Sequence, residues 1–149
     1  MVKIKHGDLL EAKEDIIAHQ VNCFGVAGGL AAVIFDKYPA AHNDYMQMTQ
    51  RAEPGDLIGL AQMTGQQRDG HIICNLYGQY HPGADYRPLE LEYALEMLGG
   101  YARNRGASVA LPYKLSCGIC GGDWGQVLEI IKITMRGVKC TIYQREGDE

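Results

Sequence analysis

Hydrophobic and polar positions along this chain follow two periods in turn, one of strands and one of helices. Val2 to His6 alternates residue by residue as a strand does, while Asp15-Ile16-Ile17-Ala18-His19-Gln20-Val21 is almost continuously apolar, the pattern of a buried strand. After a glycine-rich break, Leu30 to Asp36 takes helical spacing. Pro39 ends that helix, because proline disfavours helical geometry in the residue before it, and then opens a second helix over about 40 to 52. Glu53-Pro54-Gly55 predicts a turn. Strands are expected near 57 to 64 and 71 to 77, on either side of the polar turn Gly65 to Gly70, and residues 79 to 87 form a loop rich in proline, glycine and aspartate.

Pro88 suits the first turn of a long helix, in which Leu91, Leu95, Leu98 and Ala102 share one face. A strand at 108 to 112, a loop over 114 to 123, a helix from Trp124 to Met135 and a strand from Val138 to Gln144 follow, with a polar tail from Glu146 to Glu149. Six strands and about four helices joined by short connections make an α/β layer sandwich. At 149 residues this is the length of one domain.

Charge narrows the list of partners. A net charge of -4 argues against bulk binding to nucleic acid or to an anionic membrane, since both are driven by clustered Lys and Arg. No apolar run approaches the roughly 18 residues of a membrane span, and the opening residues alternate instead of leading into a signal peptide's apolar core. A soluble, cytoplasmic protein is the expectation. Five cysteines, an odd number, fit reduced thiols better than a disulfide framework. Cys117-Gly118-Ile119-Cys120 has C-x-x-C spacing but lies far from the first strand, where a thioredoxin-like motif belongs, and no second pair completes a zinc site. No metal and no cofactor is expected.

Glycine is the unusual count: nineteen in 149, about 13% against a usual share of roughly 7%. Two clusters follow strands and open helices. The first is Asn22 to Leu30, with Gly25, Gly28 and Gly29; the second is Ser116 to Trp124, with Gly118, Gly121 and Gly122. In open α/β sheets ligands bind beyond the carboxyl ends of strands, where such loops bring backbone N–H groups close to a phosphate without any lysine. Each loop alone also reads as ordinary turn geometry. Neither is a Walker loop or a clean G-x-G-x-x-G, so triphosphatase and classical dinucleotide readings are poor.

Taken in order, Gly7-Asp8-Leu9-Leu10, Ile17-Ala18-His19-Gln20-Val21-Asn22-Cys23, Gly28-Gly29-Leu30-Ala31, Lys37-Tyr38-Pro39, Leu111-Pro112, the loop Ser116 to Gly121, Trp124 and Thr141-Ile142-Tyr143-Gln144 resemble a macrodomain over nearly the whole chain. The most similar branch contains ADP-ribose-1''-phosphate phosphatases and terminal ADP-ribose glycohydrolases. The resemblance implies a three-layer α/β/α fold around a central mixed six-stranded sheet. It implies ADP-ribose or ADP-ribose-1''-phosphate as ligand, ADP-ribosylated protein as a further partner, and a monomer.

It also implies roles for single residues. Asp8, with Leu9 beside it, would accept from the adenine amino group; its other reading is a turn or helix cap. Asn22 would hold the distal ribose hydroxyls; otherwise it is a turn-forming Asn at a strand end. Gly25, Gly28 and Gly29, with Ser116, Cys117, Gly118, Ile119, Cys120, Gly121 and Gly122, would wrap the pyrophosphate and distal ribose, and Tyr143 would flank the adenine. His19 and Asn22 are the catalytic candidates, His19 as a proton carrier worth about 10² to 10⁴ in rate, or else a hydrogen-bonded core histidine. His81 either faces the phosphate or is a surface loop residue. The glycohydrolase branch uses a lysine after the fourth strand and an aspartate in the second loop. This chain has no lysine from Tyr38 to Tyr113 and carries Cys120 at the aspartate's place, so attack by a lysine amine is absent. Asp123 reads as a helix cap. The expected activity is hydrolysis of ADP-ribose-1''-phosphate to ADP-ribose and phosphate; the alternatives are a non-catalytic ADP-ribose reader and a de-ADP-ribosylating hydrolase lacking the lysine.

Overall fold

In a computed structural model, which describes residues 1–147, the expected alternation becomes a single sheet covered on both faces. Its strands are β1 (Val2–His6), β2 (Ile16–Gln20), β3 (Ala61–Met63), β4 (Ile72–Leu76), β5 (Val109–Pro112) and β6 (Cys140–Gln144). They lie in the order β1-β6-β5-β2-β4-β3, all parallel to their neighbours except β3, which runs antiparallel to β4. The sheet is therefore mixed and six-stranded. The helices are α1 (Gly29–Lys37), α2 (Pro39–Arg51), α3 (Pro54–Leu57), α4 (Pro88–Arg105) and α5 (Trp124–Thr134).

Strand parity divides the core in two. Ile16 and Ala18 of β2, Cys74 and Leu76 of β4, and Val109 and Leu111 of β5 pack under α4 and α5; Ile17 and Val21, Ile73 and Tyr77, and Ala110 pack under α1 and α2. The leucine stripe expected on α4 is entirely buried, and each such side chain taken out of water contributes roughly 1.5–3 kcal/mol. Gly99 is where α4 meets α5, since a Cβ there would collide with the Thr134 carbonyl oxygen.

Three boundaries differ from expectation. The turn at Glu53-Pro54-Gly55 is the start of α3, a one-turn helix that buries Leu57, so β3 begins only at Ala61. Gly59, at φ +90, breaks the chain between them. The last strand begins at Cys140 because Gly137 is left-handed and the Val138 N–H turns back to the Met135 carbonyl. Of the expected polar tail, residues 148–149 lie outside the described residues. No helix among the described residues is long and apolar enough to cross a membrane.

The topology points to one place on this sheet. From β2 the chain leaves through α1 and α2 toward β4 and β3; from β4 it returns through α4 to β5, on the other side of β2. The loops after β2 and β5 thus depart in opposite directions from adjacent strands. Connections that diverge in this way leave a crevice at the carboxyl ends of the strands.

Candidate functional site

A cleft of about 460 Å³ occupies that crevice. Its first wall is the loop after β2. Asn22 shapes it: the Asn22 Oδ1 accepts from the Phe24 N–H at 2.9 Å and from the Tyr45 hydroxyl at 3.0 Å, and its Nδ2 donates to the Val26 carbonyl at 2.7 Å. The side chain therefore does the turn-forming work of the plainer reading. It also faces the cleft, and its amide has a second proton beyond the one Val26 takes. The loop closes on Gly25, at φ +76, where a Cβ would come 2.9 Å from the Thr49 hydroxyl.

The loop then delivers the start of α1 to the cleft with nothing covering it. Gly28 stands at the cap position in extended geometry, and no side chain caps the helix. The first N–H groups of any helix lack an intrahelical acceptor. Here Gly28, Gly29, Leu30 and Ala31 all line the cleft.

The second wall is the loop after β5. Lys114 and Ser116 adopt left-handed φ values of 58° and 67°, uncommon for residues with a side chain. Within the loop the N–H groups of Cys117, Gly121 and Gly122 bond to the carbonyls of Lys114, Gly118 and Ser116 at 2.9, 3.1 and 2.9 Å. Those of Gly118, Ile119 and Cys120 have no protein acceptor among the described residues. Gly122 is required by the closeness of its own loop, as a Cβ would lie 2.5 Å from the Ser116 oxygen and 2.7 Å from the Tyr86 ring. Asp123 caps α5 by accepting from the Gly125 N–H at 3.0 Å.

Gln79, Pro82 and Gly83 form a third wall. Asp85 organises this loop, accepting from the Tyr80 and His81 N–H groups at 3.0 and 2.7 Å and from Arg87 Nε at 3.1 Å. Partial burial pushes the Asp85 carboxyl upward, but these bonds and the Arg87 charge outweigh it and hold the group below the usual carboxylate range. His81 stacks on Phe24, their ring centroids 5.0 Å apart, so it ties the third wall to the first at the exposed rim.

Of the residues singled out in the sequence, Asn22, Gly28, Gly29, Ser116, Gly118, Ile119 and Cys120 come together on the cleft. Gly25, Cys117 and Gly121 shape its loops without lining it. Asp8, Leu9 and Tyr143 lie toward β1 and β6. There the Asp8 Oδ1 caps a 3-10 turn by accepting from the Leu10 N–H at 3.0 Å, and Leu9 is buried. The Tyr143 hydroxyl donates to Glu14 at 2.6 Å, and its ring lies flush against Gly7.

His19 is the residue for which the geometry corrects the expectation of a proton carrier in the site. Being odd-numbered on β2, it points under α1 and α2, away from the cleft that its neighbour Gln20 lines. It is fully buried, with Nε2 2.7 Å from the Asn75 Oδ1 and its ring edge-on to Phe35. Asn75 Nδ2 donates to Gln62, which leaves the Asn75 oxygen as acceptor and puts the His19 proton on Nε2. Burial pushes its pKa down to about 4, only partly opposed by the Asn75 bond. Missed in the sequence were Gln20, Gln79 and Lys114. Parity along β2 gives Gln20, and Lys114 is the only cation on the cleft walls among the described residues, which carry no carboxylate there. Nor do any three His, Cys, Asp or Glu side chains among the described residues group so as to hold a metal ion.

The fold that carries this cleft has solved counterparts. The macrodomain of Mycobacterium tuberculosis DarG matches with a TM-score of 0.83 and 30% identity, over 96% of this chain and 97% of that one. This chain belongs to the macrodomain family. A second relative, the Thermus aquaticus DarG macrodomain, matches with a TM-score of 0.81 and 25% identity over 97% and 98% of the two chains. Thermosipho africanus DarTG, solved in complex with ADP-ribose, shares the macrodomain fold at 18% identity and a TM-score of 0.82, over 99% of this chain and 42% of its own. No family model and no curated protein matches the sequence.

Proposed function

We propose that this macrodomain binds ADP-ribose and holds it without turnover. The supporting observation is the uncapped start of α1, facing the free N–H groups of Gly118, Ile119 and Cys120 across a cleft that no carboxylate lines among the described residues. Backbone donors and one helix N-terminus stabilise a diphosphate locally, which reconciles an acidic chain with an anionic ligand. Lys114 adds a positive charge to the wall. Asn22 offers its spare amide proton to a ribose hydroxyl. Asp8 and Tyr143 would take the adenine, toward the β1 and β6 side of the cleft.

Hydrolysis of ADP-ribose-1''-phosphate needs a group that carries a proton at the phosphate. His19, the residue that the sequence suggested for it, faces the opposite layer, and no histidine or carboxylate lines the cleft among the described residues, His81 being stacked on Phe24 at its exposed rim. The same scarcity weighs against de-ADP-ribosylation by an activated water. Calorimetric titration with ADP-ribose, together with phosphate release from ADP-ribose-1''-phosphate, tests the reading. Saturable ADP-ribose binding with no phosphate release above buffer is expected. Absence of binding overturns it, and release that disappears in His19→Ala restores the phosphatase.

A further inference from the structure

The Cys117-Gly118-Ile119-Cys120 segment presents the second loop's free N–H groups, yet its two thiols take no part in holding an anion. Cys120 is buried on the cleft wall and accepts a 3.6 Å hydrogen bond at its sulfur from the Ser116 hydroxyl. Cys117, the residue after Ser116, is half-buried and donates its S–H to the Leu115 carbonyl at 3.2 Å. One turn, closed by the Gly121 N–H on the Gly118 carbonyl, separates the two. This turn has room to change shape, for a Cβ at Gly118 or Gly121 would meet nothing within 4 Å. The stretch leading into it is strained, with Lys114 and Ser116 both left-handed, at roughly 1–2 kcal/mol each. The other three cysteines, Cys23, Cys74 and Cys140, are at most 1% exposed.

We propose that Cys117 and Cys120 form a reversible disulfide that closes the ADP-ribose cleft, so that the second loop is an oxidation-sensitive latch; as a gate on ADP-ribose it rests on the binding reading above. The oxidant is a low-molecular-weight disulfide such as oxidised glutathione. The Cys117 thiolate attacks one of its sulfurs, the S–S bond breaks, and one glutathione thiolate leaves with the electron pair. The Cys120 thiolate then attacks the Cys117 sulfur of the mixed disulfide and expels the second glutathione. Two cysteine thiols lose two protons and two electrons, and the oxidant becomes two thiols.

Bridging requires the two Cα atoms to come within about 7 Å with matched Cβ directions. It draws the Cys120 sulfur off the Ser116 hydroxyl and turns the Gly118, Ile119 and Cys120 N–H groups away from the cleft. The motif is not a dithiol catalyst: α5 begins only at Trp124, and Asp123 already holds its N-terminus, so no helix end activates the Cys117 thiol. Burial first, then the nearby Asp123 charge and Cys120, pushes the Cys117 thiol up to about 11. The latch therefore closes slowly at neutral pH and faster as pH rises. Coupling is reciprocal, so bound ADP-ribose must disfavour the bridged form at equilibrium by the same factor as the bridge weakens binding.

The test begins with reduced protein titrated with ADP-ribose, then oxidised by excess glutathione disulfide at mildly alkaline pH and mapped by mass spectrometry. A Cys117–Cys120 bridge is expected, with affinity lowered at least about tenfold, or 1.4 kcal/mol, and restored by dithiothreitol. Saturating ADP-ribose should slow bridge formation, and Cys117→Ser should keep the same affinity before and after oxidant. No bridge, or a bridged protein that binds as tightly as the reduced one, overturns the latch. A reduced protein that does not bind overturns the ADP-ribose reading instead, while the mass map still decides the cysteine chemistry.

Discussion

The two glycine-rich loops face each other across one cleft, yet they prepare it in opposite ways. After β2 the loop ends in Gly28, leaves α1 without a cap and presents a helix N-terminus to the cleft. After β5 the loop ends in Asp123, whose carboxylate already occupies the N-terminus of α5. The first loop therefore offers a helix end, while the second offers only the N–H groups of its own turn, Gly118 to Cys120. A strand-to-helix loop rich in glycine is thus not by itself an anion site. Whether the helix behind it has an internal cap decides which kind of donor it supplies.

Filling the empty cap breaks that contrast most directly. Gly28 is extended, at φ −137° and ψ 168°, and a Cβ there meets nothing within 4 Å, so Gly28→Asp fits the fold. Its carboxylate would cap α1 as Asp123 caps α5 and repel an anion from the same N–H groups. ADP-ribose affinity should fall about 100-fold or more, some 2.7 kcal/mol, while the melting temperature holds or rises. Gly28→Ala, which adds the Cβ without the charge, should lose little affinity. Calorimetry on the three proteins decides, and tight binding by Gly28→Asp would remove the α1 N-terminus from the site.

The strands behind the loops differ as well. Val109, Ala110 and Leu111 of β5 carry nothing that titrates, whereas β2 is pinned to β4 by His19 and Asn75. With its folded value depressed to about 4, His19 contributes stability that is complete above its unfolded value near 6.5 and is lost as pH falls toward 4. The unfolded chain takes up the proton first, so the loss builds at up to about 1.4 kcal/mol per pH unit and reaches roughly 3 kcal/mol. Denaturant melts across that window should show this slope in the wild type and a flatter one in His19→Asn. Glu14, Asp69 and Asp85 are also held low and act in the same direction, but carboxylates titrate in the unfolded chain only near 4. Equal slopes in the two proteins would refute the assignment.

His19 also marks where the sequence stopped being legible. Periodicity located the β2 strand and every helix longer than one turn, and the glycine clusters lay where the cleft formed. Period 2 alone, however, cannot say which face of a strand covered on both sides meets a ligand, and an apolar run such as Ile16 to Val21 shows no alternation to read. His19 and Gln20 are adjacent in the chain and lie on opposite faces of the sheet, so the more eye-catching residue fell on the wrong side. Lys114 was illegible for another reason: only its left-handed backbone and the turn that follows bring it to the cleft wall. Asp123, by contrast, was readable as a cap from its place one residue before Trp124.

That cap provides the smallest test, and the one that separates fold from binding in the second loop. Asp123→Ala removes the acceptor of the Gly125 N–H and should cost about 1 kcal/mol of stability, the usual loss for a cap. Because Asp123 does not line the cleft and the free donors belong to Gly118, Ile119 and Cys120, affinity for ADP-ribose should change by less than about threefold. If anything it should rise, since removing a negative charge from the end of the loop leaves the start of α5 open to an anion, as α1 already is. A loss of affinity as large as that expected for Gly28→Asp would mean that the cap holds the second loop in its binding shape, and that the two loops differ less than their caps suggest.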